Sequence, residues 1–202
     1  MSKKEKKVCG VGINDAPYAV TKGGRVDGKR KITWVCPYYV VWHDMLHRCY
    51  SNKYHTGKPT YINCTVCDEW IYFMAFRAWM EKQDWEGKHL DKDILIPENK
   101  TYAPSTCRFV DRRVNTFFID CGSRRGEWPI GVSFDKSKGK FVSYCRNPFM
   151  KKLEHLGVFT CPNEAHGAWR KRKHELACMW ADLQDDPLIA EALRKRFAPK
   201  EL

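Results

Sequence analysis

The chain has 202 residues, room for one compact domain or two small ones. An apolar content of 43%, with 13% aromatic residues, is enough for a packed core and excludes wholesale disorder. Lys+Arg outnumbers Asp+Glu by 36 to 24, a formal charge of +12 that suits a polyanionic partner, and no apolar run approaches the roughly 18 residues that a membrane span needs.

Residues 1–35 read as a basic N-terminal arm, with nine Lys+Arg against three Asp+Glu up to Lys31. Gly23-Gly24 and Asp27-Gly28 are turn signals, residues 8–20 have room for one short strand, and the rest is expected as loop. The lysine-rich opening Met1 to Lys7 has no apolar stretch behind it, so no secretory signal is expected. A reducing cytoplasm follows as the expected setting. The ten cysteines then serve as thiols, metal ligands or small core residues rather than as a disulfide framework.

From Cys36 the pattern turns helical. Pro37 suits a first turn, and Tyr39, Trp42, Leu46 and Cys49 recur every three to four residues. A polar loop is expected over 51–59. Asp68 is a candidate N-cap for a second amphipathic helix carrying Trp70, Phe73, Phe76 and Met80, a stripe that reads as core. Residues 89–96 alternate like a strand, and Pro97-Glu-Asn-Lys100 is a turn. Further strand residues flank the loop Ala103 to Thr106, and a short helix is expected from Asp111 through Asn115. The order is that of a small ββα unit.

Residues 121–202 form a second module. Strands are expected over 130–135, 140–146 and 153–159, with turns at Lys138-Gly139 and near Asn147-Pro148. Thr160 is placed as the cap of a long helix that runs from about Pro162 to the Asp185-Asp186-Pro187 break, followed by a last short helix over 188–197. The expected fold class is therefore α+β: a ββα module flanked by helices over 36–120, then a three-stranded antiparallel sheet packed on a long helix.

Three sets of side chains carry chemistry. On a strand, His89, Asp91 and Asp93 would share one face, two carboxylates able to hold Mg²⁺ and an imidazole able to take a proton from water. Phosphodiester hydrolysis needs those parts, although the same pattern also describes an exposed edge strand. Cys64-Thr-Val-Cys67, with Cys49 and Cys107, supplies four thiolates for a structural Zn²⁺, or four small buried hydrophobes. Between Cys121 and Thr160, eight Lys+Arg face three Asp+Glu. Arg124, Arg125, Lys138, Lys140, Arg146, Lys151 and Lys152 are candidate DNA contacts on a sheet able to enter a major groove.

Trp42-x2-Met45-Leu46-x-Arg48-Cys49-Tyr50, Val66-Cys67-Asp68-Glu69-Trp70, Leu90-Asp-Lys-Asp-Ile94, Tyr102-x-Pro104-x2-Cys107-x-Phe109-Val110 and Asn115 occur in that order. The set resembles phage-encoded proteins of the HNH homing-endonuclease class. The resemblance implies a ββα-metal nuclease that nicks or cleaves DNA, with Asp91 and Asn115 at the metal. Two positions depart from it: Lys92 stands where that class has its general-base His, and Thr106 where it has an Asn. His89 is then the remaining candidate base. Gly131-Val-Ser-Phe134, Gly139-Lys-Phe141, Leu156-Gly-Val-Phe159 and Glu164-Ala-His-Gly-Ala-Trp169 resemble the plant ethylene-response-factor type of DNA-binding domain, which phage homing endonucleases often carry.

The leading expectation is a metal-dependent DNA endonuclease acting on double-stranded DNA. The alternative is a non-catalytic DNA-binding protein on the same scaffold, favoured by Lys92 and Thr106. A third option is a protein that binds a host factor, with its charge incidental.

Overall fold

The computed structural model describes residues 7–118 and 126–198, apart from the side chain of Arg30. The chain divides into two compact units, Met1–Val110 and Asp111–Leu202. Both helices and strands contribute to each, a mixed α+β architecture. Among the described residues no helix is long and apolar enough to cross a membrane.

The first unit opens with an antiparallel hairpin, β1 (Thr21–Val26) and β2 (Lys29–Val35), where loop is expected from sequence. Asp27 and Gly28 turn it, both with positive φ, the conformation of a two-residue hairpin turn that matches strand twist. Helix α1 (Pro37–Tyr50) follows, with Trp42, Leu46 and Cys49 of the predicted stripe buried, Tyr39 only half-buried, and Met45 buried beside them. Residues 51–59 are not all loop. Ser51 caps a short helix α2 (Asn52–Gly57), its side chain accepting from the Tyr54 N–H.

Asp68 does not cap the next helix. It opens a 3-10 turn, Asp68–Ile71, and α3 (Phe73–Met80) starts after the extended Tyr72. The break tilts Trp70 into the same core as Phe73, Phe76 and Met80, all four fully buried. Trp42 Nε1 donates to the Trp70 carbonyl at 2.7 Å, so the indole enters the core with its polar atom satisfied. Each such aromatic contributes about 2–3 kcal/mol of apolar burial.

Around this core lie short pairings. β3 (Thr65–Val66) runs parallel to β5 (Thr101–Tyr102), and β4 (His89–Asp91) runs antiparallel to β6 (Arg108–Val110). The strand expected over 89–96 thus stops after three residues. The cause is local: Asp91 Oδ1 accepts the backbone N–H groups of Asp93 and Ile94, both at 2.7 Å, and this side-chain turn replaces the next rungs of the ladder.

The second unit begins with α4 (Arg112–Phe118) and contains a three-stranded antiparallel sheet in the order β7 (Val132–Asp135), β8 (Lys140–Asn147), β9 (Lys152–Phe159). The sheet packs against the long helix α5 (Pro162–Ala181), and α6 (Pro187–Arg196) closes the unit. Cys161, not Thr160, is the N-cap residue of α5, without a side-chain cap, and Pro162 fills the first turn. Close approach of helix and sheet depends on Gly131: its φ of +82° is a left-handed conformation, and a Cβ there would lie 2.1 Å from Trp169 Cδ1.

Candidate nucleic-acid interface

Strand β8 alternates, interrupted at Val142. Ser143, Cys145 and Asn147 are buried on the α5 side, while Lys140, Tyr144 and Arg146 are exposed on the other side around the buried Val142. Strand β9 carries a bulge at Leu156, because Ser143 pairs with Gly157 and Tyr144 with His155. The extra residue reverses the alternation, so that Glu154 faces α5 and His155 faces outward beside Tyr144, ring centroids 5.3 Å apart. Leu153, paired with Arg146, is also exposed.

The helix side is fastened by charge. Arg172 of α5 donates from Nε to Glu154 Oε2 at 2.7 Å and from Nη2 to Oε1 at 3.1 Å, and Asn147 Nδ2 donates to Oε1 at 2.7 Å. These hydrogen bonds hold the Glu154 carboxyl down at about 2. The Asn147 side chain also turns the chain into the next loop, its Oδ1 accepting from the N–H groups of Phe149 and Met150.

The open face therefore carries Lys140, Arg146, Tyr144 and His155. Lys140 and Arg146 make no ion pair within the described residues, nor do Lys151 and Lys152. Asp135, paired in register with Lys140, has its Oδ1 occupied by the Ser137 hydroxyl and the N–H groups of Ser137 and Lys138, and these bonds lower its pKa. Of the DNA contacts expected from sequence, Lys140 and Arg146 share this face. Lys138 sits in the β7–β8 turn, 3.6 Å from Asp135 Oδ2. Lys151 lies in the β8–β9 loop with φ +55°, and Lys152 pairs with Asn147, off the Arg146 face. Arg124 and Arg125 lie outside the described residues. Tyr144 and His155 are additions. The even-numbered spacing of Lys140, Tyr144 and Arg146 on one strand signals the first, whereas the bulge hides the second.

The acidic set divides differently from expectation. His89 is exposed and lies on the same face of β4 as Asp91. Asp93 is not on the strand, and its Oδ1 binds Lys92 Nζ at 2.6 Å. The row of three side chains is thus not formed, because the Asp91 turn bends the chain before Asp93. Asp91 is half-buried, and burial raises its pKa against the lowering effect of its two backbone N–H donors. Its Oδ2 has no hydrogen-bond partner among the described residues. Asn115 belongs to α4 of the second unit.

Lys92 is only 5% exposed. Its ammonium donates to Asp93 and to the Asn99 carbonyl, while Asn99 Nδ2 donates to the carbonyls of Lys92 and Thr101. Thr106 Oγ1 donates to the Thr101 carbonyl at 2.9 Å. Both departures from the HNH pattern are hydrogen-bonded into the framework. Asn99, which sequence reading leaves inside a turn, is the hub between them.

The four cysteines expected at zinc do not form a ligand set. Among the described residues no three His, Cys, Asp or Glu side chains are gathered to hold a metal ion. Cys49, Cys64 and Cys107 lie buried in the apolar cluster, and Cys67 borders it. Burial pushes the Cys49 and Cys107 thiols up to about 12, so they stay protonated and pack as small hydrophobes.

No protein-family model, no curated protein and no solved structure matches this chain.

Proposed function

We propose that the protein binds double-stranded DNA, with the open face of the β7–β8–β9 sheet as its contact surface, on a scaffold of the phage HNH homing-endonuclease type. The observation that carries this reading is the set Lys140, Tyr144, Arg146 and His155 on one solvent-facing sheet surface whose cations make no ion pair among the described residues. A sheet of this width enters the major groove, where Arg and Lys meet phosphate oxygens or guanine edges, and the Tyr144–His155 pair offers apolar surface to sugars and bases. The Glu154–Arg172 clamp ties β9 to α5, so the face is held by its backing helix.

The test is fluorescence anisotropy of a labelled duplex with the full chain and with Lys140→Gln/Arg146→Gln. The double variant is expected to weaken binding at least tenfold with its melting temperature unchanged. Equal affinity would remove the sheet from the interface.

A second reading, metal-dependent DNA hydrolysis with Mg²⁺ at Asp91, rests on the Asp91 Oδ2, without a hydrogen-bond partner among the described residues, and the exposed His89 on the same strand face. The described side chains fit it poorly: Asp93 is bound to Lys92, and the general-base position holds a buried ammonium. Supercoiled plasmid with Mg²⁺ separates the two readings. Retarded but uncut plasmid supports binding alone, and nicking that is lost in Asp91→Asn supports hydrolysis.

A further inference from the structure

The β1–β2 hairpin has no place in that reading, and it is built unlike the rest of the molecule. It leaves the core at the buried Val20 and returns at the buried Cys36, whose N–H donates to the Val20 carbonyl at 2.8 Å. Between them, every described side chain from Lys22 to Trp34 is exposed. A two-stranded ribbon with no buried face gains nothing from the core and is marginal in water. Its charge is one-sided: five Lys or Arg between Lys22 and Lys31 stand against Asp27 alone.

The register sorts these residues. Lys22 pairs with Trp34, Gly24 with Lys31 and Val26 with Lys29, with the extra residue Thr33 on β2 at the register shift. Lys22, Lys29, Lys31 and Trp34 therefore fall on one face, and no acidic residue is paired with any of them. Gly24 leaves the first strand bare opposite Lys31. The Lys22 ammonium lies 5.2 Å from the Trp34 ring centroid, which holds the indole out in solvent, 42% exposed, beside the cations.

From this we infer that the β1–β2 ribbon is a second DNA-binding element, separate from the sheet, which contacts the phosphate backbone of duplex DNA through Lys22, Lys29 and Lys31 and lays Trp34 against the groove wall. The roughly 12 Å width of the major groove admits a two-stranded ribbon, and the glycines of β1 keep this one slim. The occupant follows from charge: three lysines on one narrow face, with no ion pair among the described residues, match a regularly spaced polyanion. An anionic membrane fits less well. A membrane-lying element gathers its apolar side chains on one face, whereas only Val26 shares the Trp34 face, among three lysines, and Ile32, 52% exposed, falls on the opposite one.

The inference extends the DNA-binding reading but stands on its own residues, and the experiment keeps the two apart. Binding of a labelled 25-base-pair duplex is measured between 50 and 200 mM NaCl for the full chain, for Lys22→Gln/Lys29→Gln/Lys31→Gln, for Trp34→Ala and for Lys140→Gln/Arg146→Gln. Each lost phosphate contact removes about 0.9 from the slope of log K against log salt, so the triple variant is expected to lose about 2–3 from it. Trp34→Ala is expected to weaken binding about threefold or more with the slope kept. Since the ribbon lies outside the core, melting temperatures should match the parent. An unchanged slope in the triple variant overturns the inference, even if the sheet variant loses binding. A reduced slope with a sheet variant that binds normally upholds the ribbon and removes the sheet instead. Phosphatidylserine vesicles captured through the ribbon, with the DNA slope unaltered, would assign it to membranes and overturn it.

Discussion

Lys92 and Asn99 hold each other across the bend after β4: the Lys92 ammonium donates to the Asn99 carbonyl, and the Asn99 amide donates to the Lys92 carbonyl at 2.9 Å. Asp93, more exposed, completes the charge pairing. Removing the ammonium leaves a buried carbonyl unsatisfied, so Lys92→Ala is expected to cost about 2–3 kcal/mol in urea unfolding. Asn99→Ala, which forfeits bonds to Lys92 and to Thr101 on both sides, should cost a similar amount. Lys92→His would place at this position the residue expected on the proposed HNH-type scaffold, yet it removes the clamp. The expected outcome is a loss of stability without plasmid cutting, and cutting by this variant would show that only the base is missing.

The contact between sheet and helix should be acid-labile. The Glu154 carboxyl sits at about 2, held there first by hydrogen bonds from Arg172 and then by Asn147. A carboxyl whose pKa is lower in the folded chain stabilises above its ordinary value of 4.5, and the benefit is lost as pH falls through the folded value. Glu154→Gln is therefore expected to lower stability near pH 6 by about 1 kcal/mol, since the pair is partly solvated. The melting temperatures of parent and variant should converge between pH 4.5 and pH 2.

Lys173 of α5 predicts a slope of the same sign in an alkaline window, from a cost relieved rather than a benefit gained. Burial pushes its ammonium down to about 8 from 10.5, while the Phe117 ring, its centroid 3.4 Å from Nζ, attracts the charge and offsets part of the cost. Below pH 8 both folded and unfolded chains carry the proton, and the burial cost is fully present. Between pH 8 and pH 10.5 the unfolded chain binds more protons, so stability rises with pH. Lys173→Met should raise stability at pH 7 by about 1–2 kcal/mol, with the gain shrinking toward pH 10.5. A gain independent of pH would assign the effect to packing alone.

Helix α1 is legible in the sequence because Trp42, Leu46 and Cys49 must share a face at that spacing, and the strands of the second sheet are legible because Gly139 and Asn147 mark their turns. What escapes the pattern has a common cause, a local bond or an absent core. Asp91 captures two amides and ends β4, which alternation cannot foresee. The Leu156 bulge moves His155 to the open face. The β1–β2 ribbon has no buried side, so it offers no hydrophobic period to detect. At the candidate site, Lys140 and Arg146 can be read from β8 alone, whereas the role of Asn99 emerges only once the bend brings it to Lys92.

The anchoring of the ribbon at Val20 and Cys36 makes its reach an independent variable. Adding or deleting one pair of residues on each strand beside the Asp27-Gly28 tip would move that tip by about 6.6 Å and keep every side chain on its original face. Because neither anchor would shift, descendants of this chain are free to lengthen or trim the finger without renegotiating the interior on which it is mounted.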